Sequence, residues 1–187
     1  MTREEAWALL CEWTAGESLR RHALAVEAAM RFYAAKFGED PDRWGLVGLL
    51  HDMDYERFPA PPDHAQKGAE ELARRGLDAE LVAAVLAHAN WMHDKFPLDR
   101  PIRKAIWAVD ELTGFIIAVA LVRPSKSLSD LAAKSVKKKM KEKSFAAAVD
   151  RGQILTGAEL LGVPLDEHID NVIAAMRPIA KELGLAG

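Results

Sequence analysis

Apolar residues return at three- and four-residue spacing along almost the whole chain, and no stretch alternates apolar with polar residues in the β-branched manner of a strand. That periodicity confines the chain to helix packed on helix, so the predicted fold class is all-α, with roughly eight to ten helices. Boundaries are written in the same sequence. Thr2 with Glu5 has the form of a capping box, Asp40-Pro41 and Val163-Pro164 put proline at a helix start, and Asp63 is placed to cap the next helix. Gly16, Gly38, Gly76 and Gly162 close helical segments, and Phe58 to Pro62, with three prolines, is a forced loop. At 187 residues, half of them hydrophobic, one domain around one core is expected, with no repeat or linker to divide it.

Charge and cysteine usage narrow the function. Lys and Arg number 25 against 28 Asp and Glu, a net charge of −3 that argues against a nucleic-acid polymer as partner. The one biased stretch is basic, Lys134, Lys137, Lys138, Lys139, Lys141 and Lys143, with Glu142 opposing. Cys11 stands alone, so no internal disulfide is available. The longest apolar stretch, Phe115 to Val122, is far shorter than the roughly 20 residues that span a bilayer. Met1 to Trp13 lacks the basic start and apolar run of a secretion signal. A soluble cytoplasmic protein with no membrane partner is the expectation.

Chemistry concentrates where the helical reading buries it. In Ser18 to Phe37, Arg20, Glu27 and Arg31 make a narrow polar stripe, and His22 lies opposite it with Val26, Ala29 and Tyr33. His51-Asp52 ends the apolar run Trp44 to Leu50, His88 shares a face with Leu81 and Val85, Asp110 stacks on Ile106 and Trp107, and His64 comes after the proline loop. Taken singly, His22 and His88 read as core histidines bonded to carbonyls, Asp110 as the start of a helix, and His64 as a first-turn surface residue. The adjacent pair His51-Asp52 resists that treatment. A buried carboxylate is costly unless paired or bound to a cation, and a metal would satisfy all six residues. Imidazole and carboxylate suit Mn, Fe, Zn, Ni or Co. His93, beside Asp94 and Lys95, and His168, placed on a solvated acidic face with Asp166, Glu167 and Asp170, are assigned to no site.

The ordered set His22, His51-Asp52, His64, His88 and Asp110 resembles the HD superfamily of metal-dependent phosphohydrolases, specifically its six-ligand, two-metal branch. The local contexts Ser18-Leu19-Arg20-Arg21-His22, Gly48-Leu49-Leu50-His51-Asp52, His64-Ala65-Gln66-Lys67-Gly68-Ala69 and Trp107-Ala108-Val109-Asp110-Glu111 carry the likeness, which covers about Ser18 to Phe115. Beyond it, Arg123-Pro124-Ser125-Lys126-Ser127 and the lysine run resemble bacterial members. The resemblance implies an HD core over about 18–115 and a helical extension over about 123–187 within a single domain. It implies a first metal on His22, His51, Asp52 and Asp110, a second on His64, His88 and the shared carboxylate of Asp52, and hydrolysis of a nucleotide or related small phosphoester by a metal-bound hydroxide.

Met53-Asp54 stands where many members have Ile-Gly, and the absence of the Gly-Tyr-Pro motif disfavours the cyclic-dinucleotide phosphodiesterases. Asp54 is a candidate to orient water or protonate a leaving group, alongside bridging Asp52. Arg123 and Lys126 are the candidates to grip substrate phosphate, and Tyr55 and Trp91 to stack a base. The same six residues also resemble the diiron oxygenases of the superfamily, and a non-catalytic nucleotide-binding HD module is the third possibility.

Overall fold

A computed structural model describes all 187 residues. It holds nine α-helices: α1 (Arg3–Trp13), α2 (Glu17–Phe37), α3 (Pro41–Leu50), α4 (Gln66–Arg74), α5 (Ala79–Ala87), α6 (Pro101–Leu121), α7 (Ala133–Met140), α8 (Arg151–Leu160) and α9 (Leu165–Met176). The only β pairing is an isolated antiparallel bridge between Ser127 and Ala186. No helix is long and apolar enough to cross a membrane.

Local chemistry sets most boundaries. The Thr2–Glu5 capping box forms in both directions, at 3.2 and 2.7 Å, and the Asp40 carboxylate accepts the Asp42 and Arg43 N–H groups ahead of Pro41. Gly38, with φ 73°, ends α2 in the left-handed conformation that glycine adopts without strain. Three expectations need correction. Gly16 precedes α2 as its cap, because α1 already ends at Trp13. Asp63 does not cap α4 with its side chain; α4 starts at Gln66 behind Ala65, a non-glycine residue held at φ 64°. Asp110 lies inside the long α6 and starts nothing.

Two 21-residue helices, α2 and α6, each about 32 Å long, form the centre. α2 packs on α3, α6 and α9, and α6 packs on α5 and α8 as well. All nine helices contribute to one continuous core of 43 buried residues that runs from Ala6 to Leu185. The polar stripe of α2 is drawn inward too: Glu27, 4% exposed, is bound by Arg3 and Arg31 at 2.7 and 3.0 Å.

Two glycines let helices approach closely near His51 and Asp110. A Cβ on Gly48 would lie 2.8 Å from the α2 backbone at Val26 and Glu27, and one on Gly157 would lie 2.8 Å from Ala108 Cα on α6. Backbone cannot swing aside as a side chain can, so Gly48→Ala must separate α2 from α3, at a cost of about 1–3 kcal/mol. Chemical denaturation of the variant should show a lowered midpoint; an unchanged midpoint would contradict this packing.

His168 is fully buried, against the expectation of a solvated face. Its sequence neighbours are acidic, but on α9 it falls on the stripe of Ile169, Val172, Ile173 and Met176, while Asp166, Glu167 and Asp170 face water. Its Nε2–H donates to Ala108 O at 3.1 Å, and its Nδ1 accepts the Tyr33 hydroxyl at 2.6 Å. Burial lowers its pKa to about 4, and burial likewise pushes the Tyr33 hydroxyl up to about 12. The ordinary histidine value is about 6.5. Above that pH both folded and unfolded chains hold it neutral; below it only the unfolded chain takes up the proton, so stability drains away between pH 6.5 and 4. The loss approaches about 3 kcal/mol. Unfolding free energies measured across that window should fall more steeply for the native chain than for His168→Gln, and parallel curves would contradict the assignment.

Candidate metal centre

Each prospective ligand is aimed by the end or flank of a helix. His22 stands on α2 and Asp110 on α6, the two central helices. His51 is the residue on which α3 ends, and Asp52 begins the turn after it. His64 leaves the proline loop just before Ala65, and His88 is the residue on which α5 ends. Tertiary packing brings the six together from across nearly ninety residues of sequence. Asp52 Oδ2 lies 3.5 Å from His51 Nε2 and 3.9 Å from His22 Nε2, while Asp52 Oδ1 lies 3.2 Å from His88 Nε2 and 3.4 Å from His64 Nε2. Asp110 Oδ1 is 3.0 Å from His22 Nε2 and 3.4 Å from His51 Nε2. One carboxylate thus faces two separate imidazole groups with its two oxygens.

Hydrogen bonds behind the ring fix three tautomers. His51 Nδ1–H donates to Gly48 O at 2.8 Å and His88 Nδ1–H to Val85 O at 2.5 Å, acceptors that carry no proton of their own. His64 Nδ1–H donates to Asp54 Oδ1 at 2.9 Å. Each neutral ring therefore turns an Nε2 lone pair toward the cluster, the arrangement in which imidazoles bind metals. Two facts leave these lone pairs open to a cation. His51 Nε2 is buried with no hydrogen-bond partner, and His64 Nε2 meets His88 Nε2 at 3.3 Å with neither able to donate in its neutral form.

Electrostatics agree. Burial disfavours charge on His51 and on His64, yet the carboxylates win: Asp52 and Asp110 hold His51 well above its ordinary value, and Asp52 and Asp54 raise His64 to about 9. Burial would raise Asp52 and Asp110, but the histidines, His51 foremost, hold both below the usual carboxylate range. Without a metal the carboxylates thus favour protonated imidazoles at the centre, and a divalent ion binding there would compete with those protons. The donor set of nitrogen and oxygen, in groups His22/His51/Asp52 and Asp52/His64/His88, fits a divalent ion of the Mn, Fe, Zn, Ni or Co class.

Asp54 was a candidate proton donor on sequence; the structure gives it another place. Its side chain is fully buried, with Oδ1 on His64 and Oδ2 accepting the Gly68 N–H at 2.7 Å, so it holds the His64 ring from behind and lines no cavity wall. The family model of the HD domain matches residues 19–151. The chain belongs to the HD domain family. No match is found among curated proteins or among solved structures. HD domains bind divalent metals and are in general metal-dependent phosphohydrolases, and this HD domain carries His/Asp groups able to hold a metal.

The match reaches into the first turn of α8, and α8 contributes to the site of this HD domain as well. A cavity of about 450 Å³ opens over His22, Asp52, His64, His88 and Asp110. Its walls include Tyr55 and Trp91, as the sequence allowed, and also Asn90, Glu111 and Gln153, which sequence reading passed over. Asn90 and Gln153 offer no local signal; their place depends on the packing of α6 against its neighbours, where they bond the Trp107 ring N–H and carbonyl at 2.6 and 2.9 Å. Glu111 comes directly after Asp110 and would be found by that adjacency; burial, then Asp110, raise it to about 7.

Arg123 and Lys126 do not reach the cavity. They lie past the far end of α6, whose span from Asp110 to Leu121 is about 17 Å. Arg123 is engaged by Asp130 at 2.7 Å and by Ser135, and Lys126 sits in the next turn at φ 45°. The expectation that they hold substrate phosphate is therefore withdrawn. The basic helix α7 supplies no cavity wall either: Lys137 pairs with Asp166 and Lys139 with Glu142.

Proposed function

We propose that this HD protein hydrolyses a nucleotide or related small phosphoester, using two divalent ions held by His22, His51, Asp52 and Asp110 on one side and by Asp52, His64 and His88 on the other. The observation that carries the reading is the division of Asp52, whose Oδ2 faces His22 and His51 while Oδ1 faces His64 and His88. When bound, divalent ions supply positive charge against phosphoryl oxygens and a water acidified toward neutral pH. The chain contributes the rest. Gly48 O, Val85 O and Asp54 hold His51, His88 and His64 rigid, so their Nε2 atoms keep one geometry through a turnover. The cavity above admits the ester, with Glu111 beside Asp110 positioned to exchange a proton with a leaving oxygen.

The test is an anaerobic panel of phosphomonoesters, nucleotides and phosphodiesters with the Mn-loaded protein. Release of phosphate or of a phosphorylated product supports the reading. Oxygen consumption by the iron-loaded protein, with no hydrolysis on any ester, would replace it with the oxygenase reading; ligand binding without either reaction would replace it with a non-catalytic module.

A further inference from the structure

Among the residues that wall the cavity there is no lysine and no arginine; the charged side chains other than histidine are Asp52, Asp110 and Glu111, all acidic. Sites that hold diphosphates or triphosphates place basic side chains against the added phosphates, and none reaches this cavity. If two divalent ions sit as proposed above, their charge less the Asp52 and Asp110 carboxylates and less the attacking hydroxide leaves one positive charge, which a single phosphoryl dianion already outweighs. A second phosphate would bring excess negative charge toward Glu111 with nothing to offset it.

The far side of the same cavity has a different character. Tyr55 and Trp91 are 40% and 47% exposed, far too open to be core, and their rings flank His64 at 5.0 and 5.7 Å between centroids. Pro59 and Pro61 extend that apolar rim. Among the other wall residues, the Oδ1 of exposed Asn90 and the Nε2 of buried Gln153 are spent on Trp107, which leaves the Asn90 amide donors and the Gln153 carbonyl for the edge of an occupant. Half-exposed aromatic faces backed by amide donors and acceptors suit a flat heteroaromatic ring.

Resting on the hydrolase reading above, we infer that the substrate class is a phosphomonoester: one phosphoryl group joined to a flat, uncharged heteroaromatic moiety that stacks at Tyr55 and Trp91, with polyphosphates excluded. The test is calorimetric titration of the Mn-loaded protein with three phosphonates that cannot be hydrolysed: a nucleoside 5′-monophosphonate, its methylene-bridged triphosphate analogue, and a ribose phosphonate without the base. The monophosphonate should bind at least about ten-fold more tightly than the compound without the ring, a gain that stacking alone supplies, and more tightly than the triphosphate analogue, whose added phosphates meet no basic side chain. Trp91→Leu should collapse the difference between the compounds with and without the ring. A triphosphate analogue that binds as tightly, or a ring that adds nothing, would overturn the inference. Hydrolysis of p-nitrophenyl phosphate, measured in parallel, separates the two levels. Turnover with an inverted ranking defeats the substrate class alone, whereas the expected ranking without turnover of any monoester defeats the hydrolase reading and leaves the pocket assignment standing.

Discussion

Asp52→Ala is expected to lose bound metal and turnover together. Asp52 is the one side chain in reach of four imidazoles, so its removal takes a ligand from both His/Asp groups at once. Metal-ion catalysis supplies several kcal/mol of transition-state stabilisation, so activity should fall by at least about a thousand-fold. Asp52→Asn, which preserves shape and removes the anionic donor, should behave alike, and retention of helical circular dichroism in both would exclude global unfolding as the cause. Lys138→Ala is the control, because Lys138 is exposed and lies outside the cavity; it should change kcat/KM by less than about two-fold. Full activity in Asp52→Ala would defeat the proposed mechanism.

Asp54→Ala should cost metal affinity more than catalysis. Loss of the carboxylate frees the His64 ring to rotate, and outer-shell partners of this type are worth about 10–100-fold in affinity. The Gly68 N–H would also be left buried without an acceptor, a further loss of about 1–3 kcal/mol in stability. Asp54→Asn should fall between, since its amide oxygen can still serve His64 while its nitrogen meets Gly68 donor to donor. Chelator competition should show the weakened affinity, and kcat at saturating metal should stay near the native value. A collapse of kcat at saturating metal would instead restore Asp54 as a proton donor to the leaving group.

Helical class was legible because it depends on short-range pattern, the 3.6-residue period and the caps at Thr2 and Asp40, whereas the six side chains were legible as a set only through their order along the chain, which resembles the HD superfamily. What the sequence withheld depends on long-range packing. His168 looked solvated because its neighbours in sequence are acidic, whereas its neighbours around α9 are apolar. Arg123 and Lys126 looked like phosphate ligands because charge was needed, but the length of α6 carries them away from Asp110. Asp54 gave no outward sign of orienting His64, since that bond depends on how the proline loop returns to α4. Ala65 at φ 64° is equally silent in sequence, as alanine rarely adopts that conformation.

An anomalous difference map from crystals of the Mn-loaded protein bears most immediately on the proposed centre. Two peaks about 4 Å apart, one toward His22, His51 and Asp110 and the other toward His64 and His88, with Asp52 between them, are the expected result. A single peak, or none within reach of Asp52, would contradict it.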